Sequence, residues 1–328
     1  MPRSVTIGVP VYRGKLFLEE SLNSILNQTY DDFAVIISVD EPDSECEEIC
    51  SQFLKDSRFR MVIQPQRLGW MDNMNWLMSQ VQTEFWHLQE QDDVIEREFL
   101  ALLVAYARAN PAVATIYPDI RIFGNESFPI VQNSVVGSVY ARQMALLSEH
   151  LSAVALIGLS RVEALRTAGG IPGNECENFF AETAWMAAMA RWGELHRVPG
   201  ELFHKRIHNE NTVTSWFRWP KEKRLSAWCV HCLSMLEEAL RIEATLEERR
   251  SLWRAGVERL VSSRTAGVII EVAELTLAER KSMLDDFLHR ARALTTPDLP
   301  TVLDADWNEI DSFTNHSYET VSIRALEN

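Results

Sequence analysis

Short β-branched apolar runs alternate with stretches of helical apolar spacing in the first part of this chain, and that alternation confines it to an α/β fold. Val5-Thr6-Ile7-Gly8-Val9 has the pattern of a buried strand, stopped by Pro10 and followed by the loop Val11-Tyr12-Arg13-Gly14. Leu16, Leu18, Leu22, Ile25 and Leu26 then recur at helical spacing until Asn27-Gln28-Thr29-Tyr30 interrupts them. Phe33 to Val39 reads as a second buried strand ending at Asp40, followed by a helix from about Ser44 to Leu54 and a strand at Phe59 to Ile63. After the polar stretch Gln64 to Gly69, a helix from about Trp70 to Val81 leads to a strand at Glu84 to Leu88, which ends in Glu90-Gln91-Asp92-Asp93. Such a series predicts a mostly parallel sheet with right-handed crossovers, flanked by helices.

Farther along, Arg97 to Arg108 reads as a helix, and Val113 to Pro118 with Asp119 to Gly124 as one more strand and a turn. From about Trp219 the sequence becomes charge-rich helix, so the expected division is an α/β domain over 1–218 and a helical extension over 219–328. The Leu, Ala and Trp residues of that extension, Trp219, Trp228 and Trp253 among them, recur at helical spacing and predict a packing or oligomerisation face, while Asn315 to Asn328 reads as a loosely held tail. With 328 residues, 46% of them hydrophobic, the chain has enough apolar material for one large core or two smaller ones.

The 47 acidic against 32 basic residues give a net charge of −15, which disfavours nucleic acid and anionic lipid and favours a small-molecule or glycan partner. No apolar run approaches the roughly 18 residues of a membrane span, and the N-terminus lacks a signal-peptide pattern, so the expected compartment is the cytoplasm. Five cysteines then read as reduced thiols. Cys229-Val230-His231-Cys232 has a metal-like spacing but no second pair. Its flanks, Leu225, Trp228, Leu233 and Leu236, read as amphipathic helix, so its cysteines are expected on a buried helix face.

Ligands of open parallel sheets bind beyond the carboxyl ends of the strands, where Tyr12-Arg13, Asp40, Arg67 and Glu90 to Asp93 all fall. Asp40 is suited to accept hydrogen bonds from a ribose or a base, or to serve as a turn or helix-cap residue. In an extended segment Glu90 and Asp92 would face one ligand together, which suits a hard cation such as Mg²⁺ or Mn²⁺; a solvated, helix-capping loop is the alternative. Glu182, among aromatic and apolar neighbours, is a candidate general base with a raised pKa, or else a helix N-terminal acid. His204-Lys205-Arg206-Ile207-His208, extended by Arg218, Lys221, Lys223 and Arg224, is a local basic segment that suggests a bound phosphate, with a solvated loop as the alternative.

In chain order these pieces resemble the family 2 nucleotide-sugar glycosyltransferases of the Rossmann-like GT-A fold, over about residues 4 to 215. The most specific match is Val5 to Tyr12 followed by Leu18 to Tyr30; Phe33 to Asp40 resembles the second strand with its nucleoside-contacting acid. Arg67-Leu68-Gly69 with Asn75 is similar to the family's Asn-x-Gly and Arg-Asn segments, with Arg67 in place of Asn and Met74 in place of Arg. Glu90-Gln91-Asp92-Asp93 stands where Asp-x-Asp-Asp is usual, and Gly169-Gly170-Ile171-Pro172 with Glu182-Thr183 resembles the acceptor-side segment and the Glu-Asp pair.

The resemblance implies inverting transfer from a nucleoside-diphosphate sugar, most simply UDP-linked, to a saccharide or glycoconjugate hydroxyl. It assigns Glu182 as base, Asp92 and Glu90 to Mn²⁺ or Mg²⁺, and Pro10, Tyr12, Arg13, Asp40, Arg67, Asn75, Gln91, Arg206 and His208 to the donor. A lipid-linked acceptor would require no anchor in this chain. The departures at Arg67, Glu90 and Thr183 motivate one alternative, a nucleotide-binding relative without turnover. A nucleotidyltransferase is a further alternative, against which stands the lack of a Gly-rich triphosphate loop after the first strand.

Overall fold

The computed structural model describes residues 3–149, 154–209, 211–261 and 276–293. The expected alternation is present as β1 (Val5–Val11), α1 (Leu18–Leu26), β2 (Phe33–Val39), α2 (Ser44–Phe53), β3 (Phe59–Ile63), α3 (Trp70–Ser79) and β4 (Phe85–Leu88). Beyond it come β5 (Val94–Ile95), α4 (Phe99–Ala109), β6 (Val113–Gly124), β7 (Phe128–Ile130), α5 (Val139–Glu149), β8 (Leu159–Arg161), α6 (Val162–Ala168), α7 (Ala181–Trp192) and β9 (Glu194–Ile207). Together they build a nine-stranded, mostly parallel sheet in the order β3-β2-β1-β4-β8-β6-β9-β5, with β7 paired to β6.

β1 is the central parallel strand, paired on one side to β2 and on the other to β4. Its apolar side chains Val5, Ile7 and Val9 are fully buried, because a sheet covered on both faces leaves no strand face for water. The β4 pairing ends at Gly8 and Leu88, so Pro10 falls past it, where a residue without an N–H is tolerated. α1 turns Leu18, Ser21, Leu22 and Ile25 inward at helical spacing. The Asp43 carboxylate starts α2 by accepting from the N–H groups of Glu45 and Cys46, both at 3.2 Å.

Val113 to Gly124 is not a strand and a turn but a single strand of 12 residues that runs through Pro118. The irregularity the proline imposes is taken up as shifts in the β6 to β9 register between Pro118 and Ile120. Asp119, just past the shift, is held by the Arg197 guanidinium at 2.6 Å and by the Gly200 N–H at 3.1 Å.

The C-terminal region contains α8 (Thr212–Phe217), α9 (Lys221–Leu240), α10 (Leu246–Val261) and α11 (Leu277–Ala293). Met235, Ala239, Ile242, Leu252 and Ala255 join the core beneath the sheet. A second core gathers Trp228, Cys229, Cys232, Trp253 and Phe287 around Phe179, which comes from the α/β part. Cys229 and Cys232 are thus buried on a helix face, as their flanks predict, and all five cysteines are free. Arg259, 1% exposed, crosses between the two regions and donates to the carbonyls of Leu146 (3.2 Å) and Leu147 (2.9 Å) at the end of α5. Among the described residues no helix is long and apolar enough to cross a membrane; the tail at 315–328 lies outside the described residues.

Gly8 shows how closely β1 and β4 approach. A Cβ there would lie 2.0 Å from the ring of Trp86, itself 2% exposed. Gly8→Ala should destabilise the fold by about 1–3 kcal/mol in chemical denaturation, the usual cost of overpacking. Gly8→Ala combined with Trp86→Phe should recover part of that loss, and equal loss in the double variant would contradict this contact as its cause.

Candidate active site

The site is assembled where β1, β2 and β4 end. Beyond β4, Gln91 turns back to β1. Its Oε1 accepts the Tyr12 N–H at 2.8 Å and its Nε2 donates to the Tyr12 carbonyl at 2.9 Å. This clamp requires the neighbouring Gly14, where a Cβ would sit 2.2 Å from Gln91 Oε1. Asp40, 2% exposed, uses one carboxylate oxygen to accept the Leu68 N–H (2.6 Å) and the other to accept the Gly69 N–H (2.9 Å). It thereby holds the loop that presents Arg67. The guanidinium of Arg67 lies 4.2 Å from the centroid of the Tyr12 ring, and that of Arg13 lies 5.0 Å from it. Tyr12, Arg13, Glu41, Pro42 and Ser44 line a cleft of about 420 Å³ at the mouth of β1 and β2. Glu41 adopts a left-handed φ of 110° there.

Glu90 to Asp93 does not continue as extended chain. The segment is a turn, with the Asp93 N–H bonded to the Glu90 carbonyl at 3.3 Å, so alternate residues do not share a face. Glu90 is ion-paired with Lys205, whose ammonium also lies 3.5 Å from Asp93. Asp92 instead accepts at one oxygen, Oδ2, from His208 Nε2 (2.8 Å) and Asn211 Nδ2 (3.0 Å). Burial pushes the Asp93 carboxyl well above the ordinary range, helped by the charges of Glu90 and Asp92 and opposed by Lys205. Burial acts in the same direction on Glu90, but the Lys205 ammonium, with hydrogen bonds from Asp93 and Lys205, prevails and lowers its pKa. Arg206 donates its backbone N–H to Asp93 (2.8 Å) and its Nε to the Asp92 carbonyl (2.9 Å). Its guanidinium lies between the rings of Phe17 and Phe123 and pairs with Glu20 at 2.5 Å.

Each basic residue of the segment His204 to His208 therefore meets an acid within the protein. His204 meets Glu96 at 2.7 Å, and Lys205, Arg206 and His208 meet Glu90, Glu20 and Asp92.

Glu182 enters from the opposite side, in the first turn of α7. Its Oε2 is buried and has no hydrogen-bond partner. Burial pushes its pKa up to about 7; the charge of Glu90 adds to the rise and that of Lys205 opposes it, so Glu182 shares the electrostatic environment of the strand-end acids. Asn75 does not reach toward this space with a free amide. Its Oδ1 accepts the Ile171 N–H at 2.7 Å and its Nδ2 donates to the Ile171 carbonyl at 3.0 Å, which fixes the Gly169-Gly170-Ile171 segment.

Three features had weak or no sequence signal. Asn211 is one polar residue in a polar loop, and only the fold brings it to Asp92. Lys205 was one cation of a basic run, and the register of β9 selects it as the partner of Glu90. Asn73, 1% exposed, joins Ser38 and Gln64 in a buried hydrogen-bonded group below the strand ends, a role that helical spacing cannot reveal.

Among the described residues no group of three or more His, Cys, Asp or Glu side chains is arranged to hold a metal by itself. The donor set nevertheless fits one kind of cation. Asp92 and His208 offer a carboxylate and an imidazole 2.8 Å apart, enough for a hard divalent ion that completes its shell with phosphate oxygens and water. Glu90, engaged by Lys205, is directed elsewhere.

Set beside solved structures, this architecture is that of a GT-A glycosyltransferase. S. aureus TarS 1–349, solved with UDP-GlcNAc, superposes with a TM-score of 0.66 at 17% identity over 97% of this chain and 92% of that one. The mannosyltransferase PcManGT from Pyrobaculum calidifontis, solved with GDP-Man and Mn²⁺, gives a TM-score of 0.53 at 15% identity over 99% and 88%. Residues 6–155 match the family described as Glycosyl transferase family 2. An uncharacterized glycosyltransferase of Haemophilus influenzae is 23% identical over 140 residues, 42% of this chain and 41% of the relative. Glycosyltransferase GlyA of Streptococcus pneumoniae serotype 4 is 25% identical over 139 residues, 42% of this chain but 20% of that protein. The matched region thus spans less than half the length of these relatives.

Lys205→Met removes the cation shared by Glu90 and Asp93. Because Lys205 keeps 29% exposure, the expected loss at neutral pH is about 2 kcal/mol, below that of a fully buried pair. Lys205 lowers the pKa of Glu90, and an acid with a lowered folded pKa contributes stability that is present above its unfolded value and lost as pH falls through the folded one. The deficit should therefore be smallest below about pH 4 and fully present by about pH 8 in denaturation curves. A pH-independent deficit would contradict the charge argument.

Proposed function

We propose that the chain transfers a sugar from a nucleoside-diphosphate donor to a hydroxyl acceptor with inversion, and that Glu182 is the general base. The observation that carries this reading is the buried, unpartnered Oε2 of Glu182 on a carboxyl whose pKa lies at about 7. Such a group accepts a proton near neutrality and has an oxygen free to do so. In the proposed step the acceptor O–H gives its proton to Glu182 while its oxygen forms a bond to the anomeric carbon. The bond from that carbon to the diphosphate oxygen breaks, and its electron pair leaves with the nucleoside diphosphate.

The nucleoside is assigned to the cleft beside Tyr12 and Arg13, with Arg67 over the Tyr12 ring. Asp40, Gln91 and Asn75 support the donor side by holding its loops. Arg206 lies at the turn that carries Asp92 and is the cation nearest to a diphosphate held there, and His208 meets Asp92 beside it. Asp92 and His208 would hold Mn²⁺ or Mg²⁺, which supplies positive charge to the leaving diphosphate. Glu90 is proposed as the counter-ion of Lys205. The UDP-GlcNAc of TarS and the GDP-Man of PcManGT support a nucleotide-sugar donor, and a UDP-linked donor is proposed first. The acceptor is proposed as a saccharide or glycoconjugate, and the functional division as a catalytic part over 1–218 and a helical part over 219–328.

Thermal shifts with UDP, GDP and their sugar conjugates, with and without Mn²⁺, test the donor. A shift that needs Mn²⁺ and disappears in Asp92→Ala is expected, of the size that about 2.7 kcal/mol of binding gives at a hundredfold excess over Kd. Absence of any shift in the wild type would sink the donor assignment. Glu182→Gln should lower kcat by about 10²-fold or more with donor KM little changed. Wild-type kcat should rise with pH through a midpoint near about 7 as Glu182 ionises; an identical acidic limb in Glu182→Gln would assign that midpoint to another group.

A further inference from the structure

The backbone just before Glu182 is unusually costly. Glu177, Asn178 and Phe180 all lie in the left-handed region, at φ of 54°, 59° and 46°, where a side chain crowds its own carbonyl. Three such residues in four positions persist only if the surroundings hold them. Part of the hold is local: Asn178 Oδ1 accepts the Asn174 N–H at 3.0 Å, and Asn174 Nδ2 donates to the Phe179 carbonyl at 3.0 Å.

The rest comes from the C-terminal helices. Lys223 of α9 pairs with Glu177, and Arg290 of α11 pairs with Glu175. These pairs are exposed and individually weak. The rings provide a firmer grip. Phe179, 1% exposed, lies 5.0 Å from Trp216 and 5.8 Å from Trp219, and Phe180 lies 5.0 Å from Trp216 and 5.8 Å from His231. His231 is fixed in turn, its Nε2 accepting from the buried Arg259 at 3.1 Å. Phe180 is the N-cap of α7 and has no side-chain cap bond, so its backbone conformation sets the direction in which the first turn, and Glu182 with it, leaves the loop.

We propose that the C-terminal helices aim the general base: their aromatic cage holds Phe180 in its left-handed conformation, and Phe180 is a positioning residue for sugar transfer. The inference rests on the reading of Glu182 as base, and gives the helical region a part in the reaction beyond packing. Phe180 touches no reacting atom in this account. It acts through the placement of Glu182, where displacement by about 1 Å is enough to cost a large rate factor.

The test uses the full chain. Phe180→Ala is compared with wild type and with Phe180→Trp for release of nucleoside diphosphate from UDP-GlcNAc and GDP-mannose, for donor KM, and for amide hydrogen exchange along the chain. Phe180→Ala should lower kcat roughly tenfold or more with donor KM within about twofold. It should speed exchange at residues 179–184 while the sheet is unaffected, and Phe180→Trp should restore both. Unchanged exchange would overturn the proposal, and so would faster exchange with unchanged kcat. If Phe180→Ala does not fold, Trp219→Leu at the half-buried edge of the cage replaces it, with the same pattern expected at smaller size. A wild type that turns over neither donor, alongside a variant that still loosens the turn, would sink the transfer reading and leave the holding of the turn established.

Discussion

The ends of β4 and β9 meet with charges of opposite sign, and the site depends on how those charges are balanced. Asp93 has a fully buried side chain, and burial drives a carboxyl toward its neutral form unless a cation or several N–H groups face it. β9 supplies both, Lys205 through its ammonium and Arg206 through its backbone N–H. The same strand offers His208 to Asp92, so three neighbouring acids are met by one basic segment. In a chain of net charge −15 this concentration of cations ties the far strand to the strand end where the chemistry is proposed.

Around that junction, polar side chains are used mainly to fix backbone. Gln91 grips Tyr12, Asp40 grips the loop behind Arg67, and Asn75 grips Ile171, each with two hydrogen bonds. The loops that carry Tyr12, Arg67 and Ile171 are thereby tied to the sheet and to α3. What stays unsatisfied is correspondingly informative. Glu182 keeps a buried oxygen without a partner, and an orphan acceptor of that kind costs stability, a cost that the proposed role as general base accounts for.

Much of the parallel core was legible because buried strands and amphipathic helices leave their periods in the sequence. β1 to β4 and α1 to α3 lie where Val5, Leu22, Val35 and Leu77 placed them. The reading failed where local pattern and tertiary pairing compete. Pro118 looked like a strand end, but β6 passes through it because β9 absorbs the irregularity in register. Glu90 and Asp92 looked like partners on one face, but the chain turns between them and they meet different residues.

The sequence by itself determined the α/β class, the order of the elements from β1 to β4, the strand-end acids and the buried cysteine face of α9, because these follow from apolar period and from residue type. Only the tertiary structure decided which cation meets which acid, that Asn211 reaches Asp92, and that Phe179 and Phe180 enter the aromatic core of the C-terminal helices. These contacts join residues far apart in the chain, and their energies depend on desolvation and distance, neither of which exists until the chain has packed.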